Sequence, residues 1–258
     1  MNWPLFVTEL LAGTVHGCVY ALIALGYSMV YGILKLLNFA HGDIFMVGSF
    51  IGYGILTVFG GAEALSIPIV FLLVLMFIGA MLGGGLLGVA IERFAYRRLR
   101  EAPRIAPLIT ALGVSFFLEN AALLVLGAQY QSYNSFNWDN GSLWSVGFML
   151  PAGVRVALPQ IIVVVGAIVL MIALTLFVNR TQLGRAMRAT SFDRQAAEMM
   201  GIDVNRVIAA TFFIGSALAG AAGIFNGLVY QQVLAYMGFD AGLKALTAAV
   251  VGGIGNLP

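Results

Sequence analysis

Ten of the thirteen lysines and arginines fall in two short stretches, residues 93–104 and 180–206, and the chain around them carries almost no charge. Arg93, Arg97, Arg98, Arg100 and Arg104 form the first cluster, and Arg180, Arg185, Arg188, Arg194 and Arg206 form the second. A backbone surrounded by lipid must satisfy its own hydrogen bonds, so the apolar runs read as spanning helices and the cations as markers of one membrane face. Composition excludes the alternative. Hydrophobic residues make up 61% of the chain and charged residues 9%, against about 45–50% and about 25% in soluble domains. The 32 glycines suit helices packed backbone to backbone in lipid. Cys18, standing alone, excludes an internal disulfide.

The fold class is therefore all-α, a polytopic helical membrane protein. Spanning takes about 20 apolar residues. Candidate spans are 10–33, 44–59 (short), 67–91, 105–126, 161–178 and 207–229, and 243–257 begins a seventh. That last run is short and lacks a polar tail, so the chain reads as incomplete at its C-terminus, and the family resemblance given below implies one or two more spans past Pro258. The basic loops assign the cytoplasmic side, which puts the N-terminus and the aromatic loop 127–158 (Tyr130, Tyr133, Trp138, Trp144) outside. Two segments interrupt the helix pattern, 37–43 and 230–244. Paired breaks in two halves of a transporter mark a pathway and an inverted repeat. Asn38, His41, Asp43 and Gln231 lie in these breaks, and Glu119 and Asn120 lie inside a span. All six are pathway candidates, because polar groups at membrane depth are costly to keep there.

The second basic loop holds the richest pattern. Residues 181–190 form a helix with Leu183 and Met187 on one face. Ser191 or Asp193 caps a second short helix, whose Phe192, Ala196, Met199 and Met200 share a face. Gly201 suits the position just past its end, and Asp203 caps the next helix. The loop reads as a docking element for a cytoplasmic partner. The plainer reading is a topology marker touching anionic headgroups.

Other motifs are set aside on physical grounds. Gly83 to Gly88 match G-x-G-x-x-G, but they follow no strand and sit deep in an apolar run, so they serve helix packing. No G-x-x-x-x-G-K-[ST] occurs, so the chain has no phosphate-binding motor of its own. His41 and Asp43 lack a third metal ligand. No nucleophile–base set appears, so no catalytic residue, metal site or cofactor is assigned to this chain.

Four stretches resemble one family, the permease subunits of branched-chain amino acid ABC importers, and more nearly the smaller of its two permease types. They are Gly26 to Asp43 (GYSMVYGILKLLNFAHGD), Ile91 to Arg100 (IERFAYRRLR), Leu183 to Ala189 with Ala196 to Ile202 (LGRAMRA and AAEMMGI), and Lys244 to Gly255 (KALTAAVVGGIG). The resemblance implies one permease domain over 1–258 with a coupling loop at 179–206. Its coupling residues would be Leu183, Gly184, Arg185, Met187, Arg188, Ala197, Glu198 and Gly201. It implies a second permease, two cytoplasmic ATPases carrying ATP and magnesium, an external solute-binding protein, and a prokaryotic plasma membrane location. Relatives with the same Asn-x-Ala-His-Gly signature carry urea or short amides, which is the alternative substrate. An ion-driven carrier using Asp43 and Glu119 is the alternative of another class. On this reading Gly184→Asp, or charge reversal at Arg185 and Arg188, uncouples transport from ATP and leaves folding intact.

Overall fold

The computed structural model describes residues 3–59, 69–100, 102–103, 105–133, 137–138, 141–142, 147–149 and 154–255. Arg104, Trp144 and Leu257 to Pro258 lie outside these. The helices are α1 (Trp3–Leu34), α2 (His41–Phe59), α3 (Ile69–Ile91), α4 (Ile105–Leu126), α5 (Leu158–Arg180), α6 (Gln182–Phe192), α7 (Arg194–Met199), α8 (Val204–Tyr230) and α9 (Met237–Val251). Six of them, α1 to α5 and α8, are long and apolar enough to cross a membrane. The expected seventh span corresponds to α9, which starts six residues earlier than the apolar run suggests. Short antiparallel strand pairs complete the described residues. They are β1 (Gln131–Ser132) with β6 (Gln232–Val233), β2 (Asn137–Trp138) with β3 (Gly141–Ser142), and β4 (Gly147–Met149) with β5 (Arg155–Ala157).

The helix α8 is the axis of the molecule, because its sequence lets other backbones reach it. Gly215, Ser216, Ala217, Ala219 and the run Gly220 to Gly223 are all buried. A Cβ on Gly48 of α2 would sit 2.5 Å from the Gly220 Cα, and one on Gly220 would strike the Ala80 carbonyl of α3. Gly84 and Gly88, in the motif that resembled a nucleotide loop, lie against Ser216 of α8, so their role is packing. The helices α3, α4 and α5 turn Ile78, Leu82, Phe117, Leu124, Ile168 and Ile172 outward, as lipid-facing helices do.

The arginine-rich loops lie together at one end of the bundle, the basic end. There α3 passes into a π-helical turn, Glu92–Tyr96. Buried Glu92 pairs with Arg100, whose guanidinium also donates to Asn205 at the start of α8 at 2.6 Å. The last turn of α1 is at this end too, since Arg194 donates to the Ile33 carbonyl at 2.9 Å.

The two interrupted segments share one plan in opposite senses. The helices α1 and α8 stop at Lys35 and Gln231, both with φ of 55°, the two non-glycine residues with positive φ among those described. Residues 35–40 and 231–236 then lead without helix into α2 and α9. From its start α2 runs away from the basic end beside α8, with Gly48 at Gly220 and Gly52 at Ile224. The helix α9 runs back toward the basic end beside α1, with Gly242 at Tyr27, and the chain just after it reaches Gly32 with Gly255. The pairs α1–α2 and α8–α9 thus form an inverted repeat of element order. This explains the shortness of the second apolar run, because α2 begins beside the middle of α8 rather than at its end.

Packing this close makes glycine replacement costly in a position-dependent way. Gly48→Val or Gly220→Leu should destabilise the fold by about 1–3 kcal/mol or more. Gly54, which has open space around it, should accept Ala without loss. Melting of the detergent-solubilised variants measures the difference.

Candidate functional site: a buried polar seam and a capped helix pair

The seam begins on the lead into α2. The His41 N–H donates to the Asn38 carbonyl at 3.1 Å and the Ile44 N–H to the Ala40 carbonyl at 3.2 Å, which winds residues 38–44 into the first turn of α2. The π-helical turn aims Tyr96 inward. Its hydroxyl lies 3.1 Å from Asn38 Oδ1 and 3.3 Å from the Leu37 carbonyl. His41 is fully buried, with its ring 4.7 Å from that of Tyr27. Gly26 makes the space for it, since a Cβ there would overlap the imidazole.

Asp43, two residues further on, is also fully buried. It faces two elements. On α4, Ser115 and Glu119 stand one turn apart on the inward face and lie beside its carboxyl group. On α9, Gly238 leaves room for it, because a Cβ at that position would lie 2.7 Å from Oδ1. The first turns of α2 and α9 touch as bare backbone: a Cβ on Gly42 would lie 2.7 Å from the Gly242 Cα, and one on Gly242 would lie 2.9 Å from the Gly42 Cα. Two helix N-termini therefore converge in the interior, with a carboxyl group set between their positive ends. No side chain caps α9.

The hydrogen-bonding capacity here is largely unspent. Asn38 Nδ2, both His41 nitrogens, both Asp43 oxygens, Ser115 Oγ and Ser216 Oγ are buried without a hydrogen-bond partner. Buried polar atoms are ordinarily paired, so a concentration of unpaired ones at membrane depth makes this seam the candidate polar site of the molecule. Of the six expected pathway residues, Asn38, His41, Asp43 and Glu119 come together. The other two do not. Asn120 is exposed and donates to the Phe116 carbonyl of its own helix at 2.7 Å. Gln231 lies in the β1–β6 region, where its carbonyl accepts the Tyr133 N–H at 2.8 Å. Ser115, Tyr27 and Tyr96 are site residues that sequence reasoning missed. The i, i+4 spacing of Ser115 and Glu119 was the available signal. Among the described residues, no three His, Cys, Asp or Glu converge as a metal site requires.

At the basic end, α6 and α7 form a capped pair. Thr181 Oγ1 accepts from the Gly184 N–H at 3.0 Å, and Asp193 Oδ1 accepts from Gln195 and Ala196 at 2.8 and 3.1 Å. Asp203 caps α8. Ser191 instead donates back to the Arg188 carbonyl. Gly201 has φ of 82°, the conformation its expected place requires. The expected coupling residues divide by face. Arg185, Arg188, Glu198 and Gly201 are exposed, whereas Gly184, Met187 and Ala197 are buried and Leu183 is partly so. Met187 thus packs into its own protein, and a Cβ on Gly184 would strike the Val178 backbone. The outward apolar surface is Phe192, Met199 and Met200, which are 96%, 82% and 83% exposed. Arg194 ties the pair to the last turn of α1. Burial, and then the Arg100 charge, hold its guanidinium below the ordinary arginine range, and Glu198 opposes them.

Residues 10–258 match the family described as branched-chain amino acid transport system / permease component. The chain is 40% identical over 253 residues to the high-affinity branched-chain amino acid transport system permease protein BraD of Pseudomonas aeruginosa, covering 98% of this chain and 81% of that one. It is 40% identical over 254 residues to LivH of Escherichia coli (strain K12), a permease protein of the same description, covering 98% and 80%. It is 27% identical over 248 residues to a probable branched-chain amino acid transport permease protein of Methanocaldococcus jannaschii, covering 94% and 73%. No solved structure matches the chain.

Tyr96→Phe should lower the melting point. It leaves the Asn38 acceptor buried and unpaired, a loss of about 1–3 kcal/mol. Asn120→Ala, which breaks a bond only to its own helix, should melt like the parent. Equal melting of both variants would remove Tyr96 from the seam.

Proposed function

This chain belongs to the family of branched-chain amino acid transport permease components, and on that premise we propose that it is the transmembrane permease subunit of an ATP-binding cassette importer. Its cargo is a branched-chain or other apolar amino acid. Its role is transport rather than catalysis, and ATP and magnesium belong to a partner ATPase. The partners are a second permease, two ATPases on the side of the basic end, and an external solute-binding protein. The arginine clusters support placing the basic end in the cytoplasm and the N-terminus outside, in a bacterial or archaeal plasma membrane. Residues 1–258 act as one permease domain, with 179–206 as its coupling loop.

The observation that carries this reading is the capped α6–α7 pair. It is an exposed apolar surface of three large side chains on a rigid, basic scaffold, bonded through Arg194 to the end of α1. Closure of an ATPase pair would displace α7. The displacement reaches Ile33, two residues before the left-handed turn at Lys35, and from there the lead that holds Asn38, His41 and Asp43. The seam then alternates between two arrangements, biased by the nucleotide state of another chain. Asn38, His41, Asp43 and Glu119 line the polar step of the pathway.

Two experiments test the reading. The complete importer in proteoliposomes should take up L-leucine with ATP and no ion gradient. Uptake driven by a gradient without ATP would overturn it. Phe192→Asp or Met199→Glu should fold and melt as the parent does, yet lose ATPase co-purification and uptake, with at least about 2 kcal/mol of docking energy removed. Arg185→Glu is the clean charge reversal. The guanidinium of Arg188 donates to the Val178 carbonyl, and Gly184 has no space for a side chain, so changes at these two also disturb folding.

A further inference from the structure

The helix α9 carries an ion pair where a lipid-facing helix has none. Lys244 Nζ lies 2.6 Å from Asp240 Oδ2, one turn apart, and the two side chains are 55% and 71% exposed. Their depth follows from the packing of α9 on α1. Gly242 lies against the Tyr27 hydroxyl, about two turns in from the end of α1. Asp240 lies deeper still, toward the convergent N-termini. Side chains on a helix lean toward its N-terminus, and here that is the middle of the molecule. Lys244 accordingly reaches inward to Asp240, with the Tyr20 and Tyr230 hydroxyls in electrostatic range, rather than outward to the basic end. The same open face continues through Thr247. Charges at this depth face water or protein, not lipid.

We propose that this face of α9 lines the aqueous path and that Asp240 and Lys244 form a zwitterion site. The ammonium of Lys244 receives the carboxylate of a passing amino acid and Asp240 receives its ammonium, the internal pair opening as the solute enters. The proposal rests on the amino-acid importer reading above and adds the residues that recognise the backbone of the substrate. The site is chemically suited to every α-amino acid. An exposed ion pair contributes little net energy, which suits transit rather than capture, because the charged groups of the solute replace equivalent partners. The pair is distinct from the buried seam, in which no cation stands among the groups around Asp43.

The test uses the complete importer carrying Cys18→Ser and Thr247→Cys, which leaves the ion pair intact. Modification of this chain by a permanently charged methanethiosulfonate is followed by mass, with and without L-leucine delivered by the binding protein. Modification that leucine slows supports the site. Absence of modification, or modification that leucine leaves unchanged, overturns it, the former placing the face in lipid or in a protein interface. Lys244→Met and Asp240→Asn should each lower leucine uptake about tenfold or more, the loss of one charged hydrogen bond, while the ATPase still co-purifies. Uptake within twofold of the parent in both variants overturns the site. Failure of the importer reading is separately visible, as absence of ATP-dependent uptake by the unsubstituted complex.

Discussion

The contact between Gly42 of α2 and Gly238 and Gly242 of α9 is the constraint from which the rest of the architecture follows. A helix that begins inside a bilayer presents the unpaired N–H groups of its first turn where no lipid can accept them. Two such beginnings are tolerable only if each is buried against protein, and they bury each other. Backbone contact demands glycine at all three positions. It also demands that the long helices beside them leave room, which is why α8 is lined with glycine, alanine and serine and why Gly26 sits against both His41 and Gly215.

Rigidity and weakness are distributed accordingly. The helices α1 and α8 are long and continuous, and α8 is buried over most of its length. The leads 35–40 and 231–236 have neither helical bonds nor a full ladder, and each starts from a left-handed residue whose side chain is not glycine. Such positions absorb large changes of backbone angle in hinge motions. The two leads differ in what holds them. The first is bonded to Tyr96 and, through α1, to the capped pair by Arg194. The second is bonded across β1–β6 to the far end of the molecule. On the importer reading proposed above, a push at the basic end acts on the first lead, and an event at the opposite end acts on the second. Both leads deliver to the same pair of helix starts.

The features legible in the sequence were those set by single residues with strong local demands. Asp193, Asp203 and Gly201 announce helix ends because capping and left-handed geometry need those types, and the arginine clusters announce the basic end. Features set by which face a helix turns were less legible. Glu119 and Asn120 were paired as neighbours in sequence, but adjacent helical residues point about 100° apart, so an inward Glu119 turns Asn120 outward. Leu183 and Met187 share an apolar face, and nothing in that pattern says whether the face meets its own core or a partner. The inverted repeat is invisible in side chains. Lys35 and Gln231 have nothing in common except backbone angle, and their following leads share length rather than sequence.

The seam also bears on where selectivity resides. A site built to hold one solute tightly would set its polar groups against fixed partners that the solute then replaces. Here the unpaired groups belong to α2 and its lead, to α4 and to α8, and beside Asp43 the contact of α2 with α9 is closed by glycine backbone. On the pathway reading proposed above, solute enters only when α2 and α9 part. Parting exposes polar atoms with few hydrogen bonds to lose, and the closest contact it breaks is made by dispersion between glycines, each atom pair of which contributes only about 0.1–0.2 kcal/mol. An opening of this kind offers hydrogen bonds to groups that are sparsely paired in the closed seam. That combination favours a gate over a binding pocket, and it leaves discrimination among side chains to whatever delivers the solute.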